Sequence, residues 1–344
     1  MKKSLIIEIA VIIVLVIILG VIIGLFVKEK NSNTFPMGDG KEFKMEENKE
    51  KETTADDVDA GETANSKEIN LSEYNSNLTI SEEGTYTLSG SFKYSVIVNA
   101  NGKVTLILNG VNIESTITAA IANGTTNDLT IVLADNTVNN LSDGGSSEYD
   151  GCIFSYGKLT IEGNGTLNIY GNQEEGEGIA TKANDIIINS GTINIVSQDD
   201  GLNAGSSGGI ITINGGKIYI KASGDGIDSN GSLVINGGEI YTIGSAQGGD
   251  AGIDTDDGFT INGGEVIALG SDMLERPEDT SKQKSVCFDL QSKIASGSQV
   301  EVKNASGETI ISFEAKEDFR TLIVSNDNVS GETLYLYVDG QKVK

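Results

Sequence analysis

The amino-acid sequence predicts an all-β fold, a parallel β-helix or solenoid, from two repeating phrases. Ile-Asn-Gly-Gly closes at Gly216, Gly238 and Gly264, and a degenerate Ile-Asn-Ser-Gly closes at Gly191. An acid-Gly-apolar phrase recurs as Glu177-Gly178-Ile179, Asp200-Gly201-Leu202 and Asp225-Gly226-Ile227. Looser copies are Asp150-Gly151-Cys152 and Ala251-Gly252-Ile253. The five glycines stand 27, 23, 25 and 26 residues apart. A period in the twenties, carried by two-residue alternation and without a helical pattern, marks stacked β coils.

Each segment of the chain has its own signal. From Ile9 to Val27 every residue is apolar or glycine, long enough to span a bilayer. A cleaved signal peptide has a shorter apolar run and a small-residue cleavage site. Lys2 and Lys3 precede the run and Lys28 and Lys30 follow it, so charge hardly sets its orientation. Residues 1–30 are therefore expected to be one uncleaved transmembrane signal anchor, with the C-terminal body outside the cell. Residues 31–68 are acidic and poor in aromatic and β-branched residues, as a disordered tether is. Residues 69–270 are expected to form the β-helix, whose first coils are the alternating runs TYTLSG, SVIVNA, KVTLILNG and LTIVLADN. Residues 271–344 read as a β-rich cap, with the strands SVCFDL, QVEVKNASG, TIISFEA, TLIVS and TLYLYVDG. A solenoid needs such a cap, because its open end leaves a strand edge unpaired.

Aligned on the glycine after the acid, the repeats make columns. Cys152, Ile179, Leu202, Ile227 and Ile253 form an inward apolar column. Phe154, Thr181, Ala204, Ser229 and Thr255 form a second inward column, mostly small. A second strand supplies Leu159/Ile161, Ile186/Ile188, Ile211/Ile213, Leu233/Ile235 and Phe259/Ile261. A third supplies Leu167/Ile169, Ile193/Ile195, Ile218/Ile220, Ile240 and Val266. Three short strands per coil with Gly-rich corners describe a parallel β-helix.

Composition removes whole classes of function. Fifty Asp and Glu stand against 24 Lys and Arg, a net charge of −26, which opposes nucleic acid as a partner. Histidine is absent, and with it Ser-His-Asp and Cys-His catalysis and the common zinc sites. Tryptophan is also absent, leaving Tyr and Phe as platforms for sugars. Two cysteines make no disulfide framework. Cys152 reads as a buried free thiol, with a bridge to Cys287 as the other possibility.

The outward columns carry the candidate chemistry. Asn203, Asp228 and Asp254 lie between inward positions, with Asp256 two residues beyond Asp254. Asp200 and Asp225 precede their glycines, and Asp199 and Asp250 stand one residue earlier. Carboxylates stacked at a rung spacing of about 4.8 Å repel unless a cation lies between them. Oxygen donors without His or Cys favour calcium. Asp-Gly corners also arise from turn preference alone, which explains one acid per corner and explains a second column poorly. Tyr219 and Tyr241, on neighbouring rungs, are candidates for stacking on a sugar face or for simple cross-strand packing. Lys221 is the one basic residue near the acidic cluster in sequence. It is the candidate ligand contact, and the candidate base if the protein is a calcium-dependent lyase.

The stretches SGDGIDSNGSLVINGGEIYTIG and AGIDTDDGFTINGGEVIALGSDM resemble a bacterial family of carbohydrate-binding-domain-containing β-helix proteins. TYTLSG and VIVNANGKVTLILNGVNI resemble that family's opening coils, and SGETLYLYVDG its closing strands. The resemblance spans roughly residues 69–344. It implies a right-handed parallel β-helix, secreted or surface-held, that binds calcium and cellulose or acidic, pectin-like sugars and is akin to pectate lyases. It further implies that Asp199, Asp200, Asp225, Asp228, Asp250 and Asp254 are calcium ligands. In place of the family's Lys-Asp-Asp triplet the early repeats read SYGKL, TKANDI and AGSSGGI, which concentrates the expected metal on the last three repeats. The expected function is a membrane-anchored extracellular polysaccharide-binding protein with no assigned catalytic residue. The alternatives are a pectate-type lyase and a structural or adhesive surface protein.

Overall fold

The computed structural model describes residues 66–144, 149–173, 176–205, 208–331 and 333–344. The predicted anchor and nearly all of the predicted tether lie outside these residues. Among the described residues no helix is long and apolar enough to cross a membrane. They are all β apart from one 3-10 turn at Leu71–Glu73.

Three ladders of short parallel strands wind around one core. The first ladder is an eight-stranded sheet: Leu78–Ile80, Val96–Val98, Ile121–Asn123, Ile153–Ser155, Ile179–Thr181, Leu202–Ala204, Ile227–Ser229 and Asp254–Thr255. The second ladder runs through Leu129–Leu133, Leu159–Gly163, Ile186–Ile188, Ile211–Ile213, Leu233–Ile235 and Phe259–Ile261. The third runs through Val138–Ser142, Thr166–Tyr170, Thr192–Val196, Lys217–Lys221, Glu239–Ile243 and Glu265–Gly270. The long strand Val104–Glu114 joins the last two, pairing its first half with Leu129–Leu133 and its last residues with Val138–Ser142.

Alternation decides what fills the interior. In the second ladder Ile186, Ile211 and Leu233 are in register, as are Ile188, Ile213 and Ile235, and all six are fully buried. In the third ladder Leu167, Ile193, Ile218 and Ile240 stack in the same way. Each such side chain contributes about 1.5–3 kcal/mol by leaving water. The coils thus hold one another through aligned apolar columns, as the two predicted strand sets require.

The Ile-Asn-Gly-Gly phrase has a second cause. Its asparagines form a ladder outside the corner: Asn214 Nδ2 donates to Asn189 Oδ1 at 2.9 Å, Asn236 to Asn214 at 2.9 Å and Asn262 to Asn236 at 3.0 Å. The closing glycine then takes a left-handed turn, with φ of +99° at Gly238, a conformation costly for other residues.

The first ladder corrects the alignment at its fourth strand. Ile153, not Cys152, is in register with Ile179, and Ser155, not Phe154, with Thr181. The Cys152 N–H donates to the Glu177 carbonyl just as the Gly178 N–H donates to that of Asp200, so Cys152 occupies the glycine column. Asp150-Gly151 imitates the acid-Gly phrase one residue too early. Phe154 consequently points outward. Cys152 and Cys287 are both free thiols, and Cys152 is fully buried.

The C-terminal end of the ladders is closed by antiparallel strands. Phe319–Ser325 pairs with Glu265–Gly270, and Ser285–Ile294 pairs in turn with Phe319–Ser325. A separate four-stranded antiparallel sheet contains Thr309–Glu314, Gln299–Lys303, Tyr335–Val338 and Gln341–Lys342, in that order.

Candidate functional site: a carboxylate edge on the first ladder

At the corner leading into the first ladder, the acid ahead of the glycine clamps successive coils together. The Asp225 N–H donates to Asp200 Oδ1 at 2.7 Å, and the Ala251 N–H donates to Asp225 Oδ1. In an earlier coil Asn172 N–H and Gln173 Nε2 both donate to Asp143, each at 2.6 Å. These bonds satisfy amides that the corner would otherwise bury unpaired. Part of the acid-Gly repeat is therefore structural.

The second acid column lies on the outer face of the ladder. Asn203, Asp228 and Asp254 are in register on consecutive coils. Asn203 ties the two columns together, its Nδ2 donating to Asp200 Oδ2 at 2.8 Å and to Asp228 Oδ2 at 3.1 Å. The Asp199 and Asp200 Oδ1 atoms both lie against Gly224, where a Cβ would stand 2.3 and 2.5 Å from them. Asp250 is half-buried and holds Ser271 through its backbone carbonyl, and Asp256 is exposed. The structure thus brings Asp199, Asp200, Asn203, Asp225, Asp228 and Asp254 to one edge.

The electrostatics of this edge are unbalanced. Burial pushes the Asp200 carboxyl up to about 6, against the Asp225 N–H that lowers it. Burial pushes Asp225 and Asp228 up to about 7, and the neighbouring aspartates add to the rise. Asp254 is raised as well, chiefly by burial. One coil earlier, burial and a hydrogen bond to Asp150 raise Glu177 to about 9. Its Oε2 is buried without a hydrogen-bond partner. Among the described residues, no lysine or arginine pairs with Asp200, Asp225, Asp228 or Asp254.

The donor set is chemically that of a hard divalent cation: carboxylate and amide oxygens, with one orphaned buried oxygen beside them. Its geometry is an extended edge. Among the described residues, no three Asp, Glu or Cys side chains are gathered into a ready-made metal cage.

The predicted sugar platform on the third ladder is covered at Tyr241. Tyr219 and Tyr241 do stack, with ring centroids 5.6 Å apart and planes within 7°. Phe313 of the four-stranded sheet then packs edge-on against Tyr241 at 5.8 Å, leaving Tyr241 only 6% exposed. Lys221 Nζ lies 2.5 Å from Glu317, in the link between that sheet and the closing strand. These three residues dock the C-terminal sheet. Tyr241 presents no open face, Tyr219 stays half-buried beside it, and Lys221 is ion-paired with Glu317.

A different aromatic group stands on the outer face of the first ladder. Phe154 meets Tyr156 edge-on at 5.1 Å, and Tyr149 lies 5.6 Å from Phe154 and 6.5 Å from Tyr156. The inward assignment of Phe154 hid this cluster in the sequence. The signal for it was the Tyr-x-x-x-x-Phe-x-Tyr spacing at Tyr149, Phe154 and Tyr156.

Comparison with known proteins places this architecture. Residues 74–318, well over half of the chain, match the family described as carbohydrate-binding domain-containing protein. The chain belongs to that family. A carbohydrate-binding domain-containing protein of Acetivibrio thermocellus is 34% identical over 127 residues, which cover 34% of this chain and 43% of that relative. The match thus spans less than half of the relative's length. A solved structure titled as the polysaccharide lyase-like protein from C. thermocellum, gadolinium derivative, is 29% identical, with a TM-score of 0.45. It covers 55% of this chain and 83% of that one. Within this carbohydrate-binding domain-containing chain, the family match takes in the whole carboxylate edge and the aromatic cluster.

Proposed function

We propose that this protein is an extracellular polysaccharide-binding β-solenoid that holds calcium along its carboxylate edge and is attached to the cell membrane by its N-terminal apolar segment. Membership of the carbohydrate-binding domain-containing family supports the polysaccharide. The observation that carries the calcium is the in-register column Asn203–Asp228–Asp254 joined to the buried Asp200 and the half-buried Asp225 without a basic partner among the described residues. A divalent ion would offset the like-charge repulsion and the desolvation that raise these carboxyls. Calcium, with six to eight oxygen ligands in flexible geometry, suits an extended edge better than magnesium does. Asp228 and Asp254 supply charge from the sheet face, Asn203 supplies an amide oxygen, and Asp199, Asp250 and Asp256 border the edge.

A binding module fits better than a lyase. The basic residue nearest the acids in sequence, Lys221, lies on the third ladder in an ion pair with Glu317. Among the described residues of the edge there is no basic side chain; it presents the acids and the amide of Asn203, whose oxygens can accept hydrogen bonds from sugar hydroxyls.

Titration calorimetry of the chelator-stripped protein with calcium tests the metal. Asp200 and Asp225 also clamp backbone amides, so the informative variants are Asp228→Asn and Asp254→Asn, which remove charge and leave those clamps intact. The double variant is expected to weaken calcium binding by about tenfold or more, because affinity in such sites follows ligand charge. Calcium heats unchanged in the double variant, or absent from the wild type, would remove the metal from this edge.

A further inference from the structure

We propose that the outer face of the third ladder over Val138–Ser142, Thr166–Tyr170 and Thr192–Val196 binds a neutral polysaccharide through a column of asparagine amides. This inference rests on the polysaccharide reading and gives it a place and a ligand class.

The amides hold one another in place. Asn140, Asn168 and Asn194 are in register on consecutive coils. Asn194 Nδ2 donates to Asn168 Oδ1 at 2.9 Å, and Asn168 Nδ2 donates to Asn140 Oδ1 at 2.9 Å. The ladder is open at both ends: among the described residues Asn140 Nδ2 has no acceptor and Asn194 Oδ1 no donor. Asn112, next in the column, turns its amide to Glu114 instead. Asn140 and Asn194 are half-buried, and neither open atom is a buried orphan, so both meet solvent. The asparagine ladder at the Ile-Asn-Gly-Gly corner is different. There Asn189 Nδ2 donates to Glu162 at 3.0 Å and Asn262 Oδ1 accepts from the Lys282 N–H at 3.4 Å, so both ends are closed within the protein. Tying coils together accounts for the corner ladder. It leaves the open ends of the face ladder unexplained.

The surface around the open ladder is uncharged. Its three strands hold no Asp, Glu, Lys or Arg, in a chain of which 22% is charged. They cover roughly 10 Å along the solenoid and about 13 Å across it. Val138, 55% exposed, starts one flank of the ladder, and the half-buried Tyr170 stands on the other between Ser142 and Val196. Charge returns only on the neighbouring coils, as Glu114 on one side and Lys217 and Lys221 on the other. Both lysines are ion-paired, with Glu239 and Glu317.

These features select the ligand. A sugar hydroxyl both donates and accepts, which suits a face with one open amide donor and one open amide oxygen. Polar groups fixed beside apolar ones are the anatomy of a ligand site, and amides already held in place lose little freedom on binding. A uronate chain would find no free cation on this face and would meet a net charge of −26. A neutral glucan-like chain meets no such opposition. The face uses none of the residues assigned to calcium. Its strand Thr192–Val196 does run into the corner of Asp199 and Asp200, where Ser197 Oγ donates to the Asp199 carbonyl at 3.0 Å. An ion held at that corner would steady this strand.

The test uses the full chain in mild detergent with calcium present, with cellohexaose in calorimetry and hydroxyethyl cellulose and polygalacturonate in affinity gels. The Asn140→Ala/Asn194→Ala double variant is expected to weaken cellohexaose binding by about tenfold or more, as two lost hydrogen bonds do. Tyr170→Ala, which removes the aromatic ring of the face, is expected to weaken it by about tenfold. Asn236→Ala breaks the corner ladder instead and should keep all of the affinity. Melting temperatures identify a variant that fails to fold, and the other variant then decides. Wild-type binding that neither face variant weakens would overturn the site and leave the polysaccharide reading standing. Equal weakening in Asn236→Ala would make the effect one of stability and overturn the site. Retardation by polygalacturonate alone would overturn the neutral class. No binding to any glycan would overturn the site together with the reading beneath it.

Discussion

In chelator, raising the pH from about 4.5 to about 8.5 is expected to lower the melting temperature, whereas most proteins are at their most stable between ~pH 5 and 8. The acids responsible are Asp200, raised to about 6, Asp225 and Asp228, raised to about 7, and Glu177, raised to about 9. In each case the folded state holds its proton more tightly than the unfolded chain does. Below the unfolded values both states are protonated and the full stability is present. Between the two values folded protein binds more protons, so stability falls as pH rises. The loss therefore begins near pH 4, is nearly complete for the three aspartates just above pH 7, and continues towards pH 9 through Glu177. For Asp200 alone the rise from 3.8 to about 6 is roughly 2 units, on the order of 3 kcal/mol by linkage. Calcium added at the upper pH is expected to restore the melting temperature. Thermal scans across this range, with and without calcium, measure both effects. A melting temperature that is flat or rising with pH in chelator would show that these carboxyls are already compensated.

The second large effect concerns the glycine that follows each corner acid. Gly201→Ala would place a Cβ 2.2 Å from Ile220 Cγ2 and 2.5 Å from the Gly226 carbonyl oxygen of the next coil. The oxygen belongs to the inter-coil ladder, where the Leu202 N–H donates to it at 3.2 Å, so it has little freedom to move. Overpacking of this kind costs about 1–3 kcal/mol, and more where backbone must shift. Gly331→Ala is the matched control, since a Cβ there meets nothing within 4 Å. It is expected to fall within about 0.5 kcal/mol of the parent. Urea denaturation of both variants measures the difference, and equal midpoints would contradict the tight contact at Gly201.

Which features were readable in advance follows from how local their causes are. The second- and third-ladder columns were legible because each coil states its own alternation and the coils repeat it. The column Asn203–Asp228–Asp254 was legible for the same reason. Cys152 was misplaced because Asp150-Gly151 copies a phrase whose hydrogen-bonding partners lie one residue later, a fact visible only in the bonds to Glu177 and Gly178. The covering of Tyr241 by Phe313 and the pairing of Lys221 with Glu317 involve residues more than seventy positions away, and no local pattern announces such contacts. The clamping role of Asp200 and Asp225 was hidden behind their resemblance to ligands, because one carboxylate can serve both purposes.

The measurement that bears most directly on the account is affinity electrophoresis of the full chain through gels containing hydroxyethyl cellulose or polygalacturonate. Each gel is run with calcium and with chelator, then stained for the polysaccharide. The account predicts retardation by at least one of the two polysaccharides with calcium, loss of that retardation in chelator, and no cleared track. Migration unaffected by either polysaccharide in calcium would contradict a polysaccharide-binding solenoid. A cleared track would contradict the binding-module reading and point instead to cleavage of the chain.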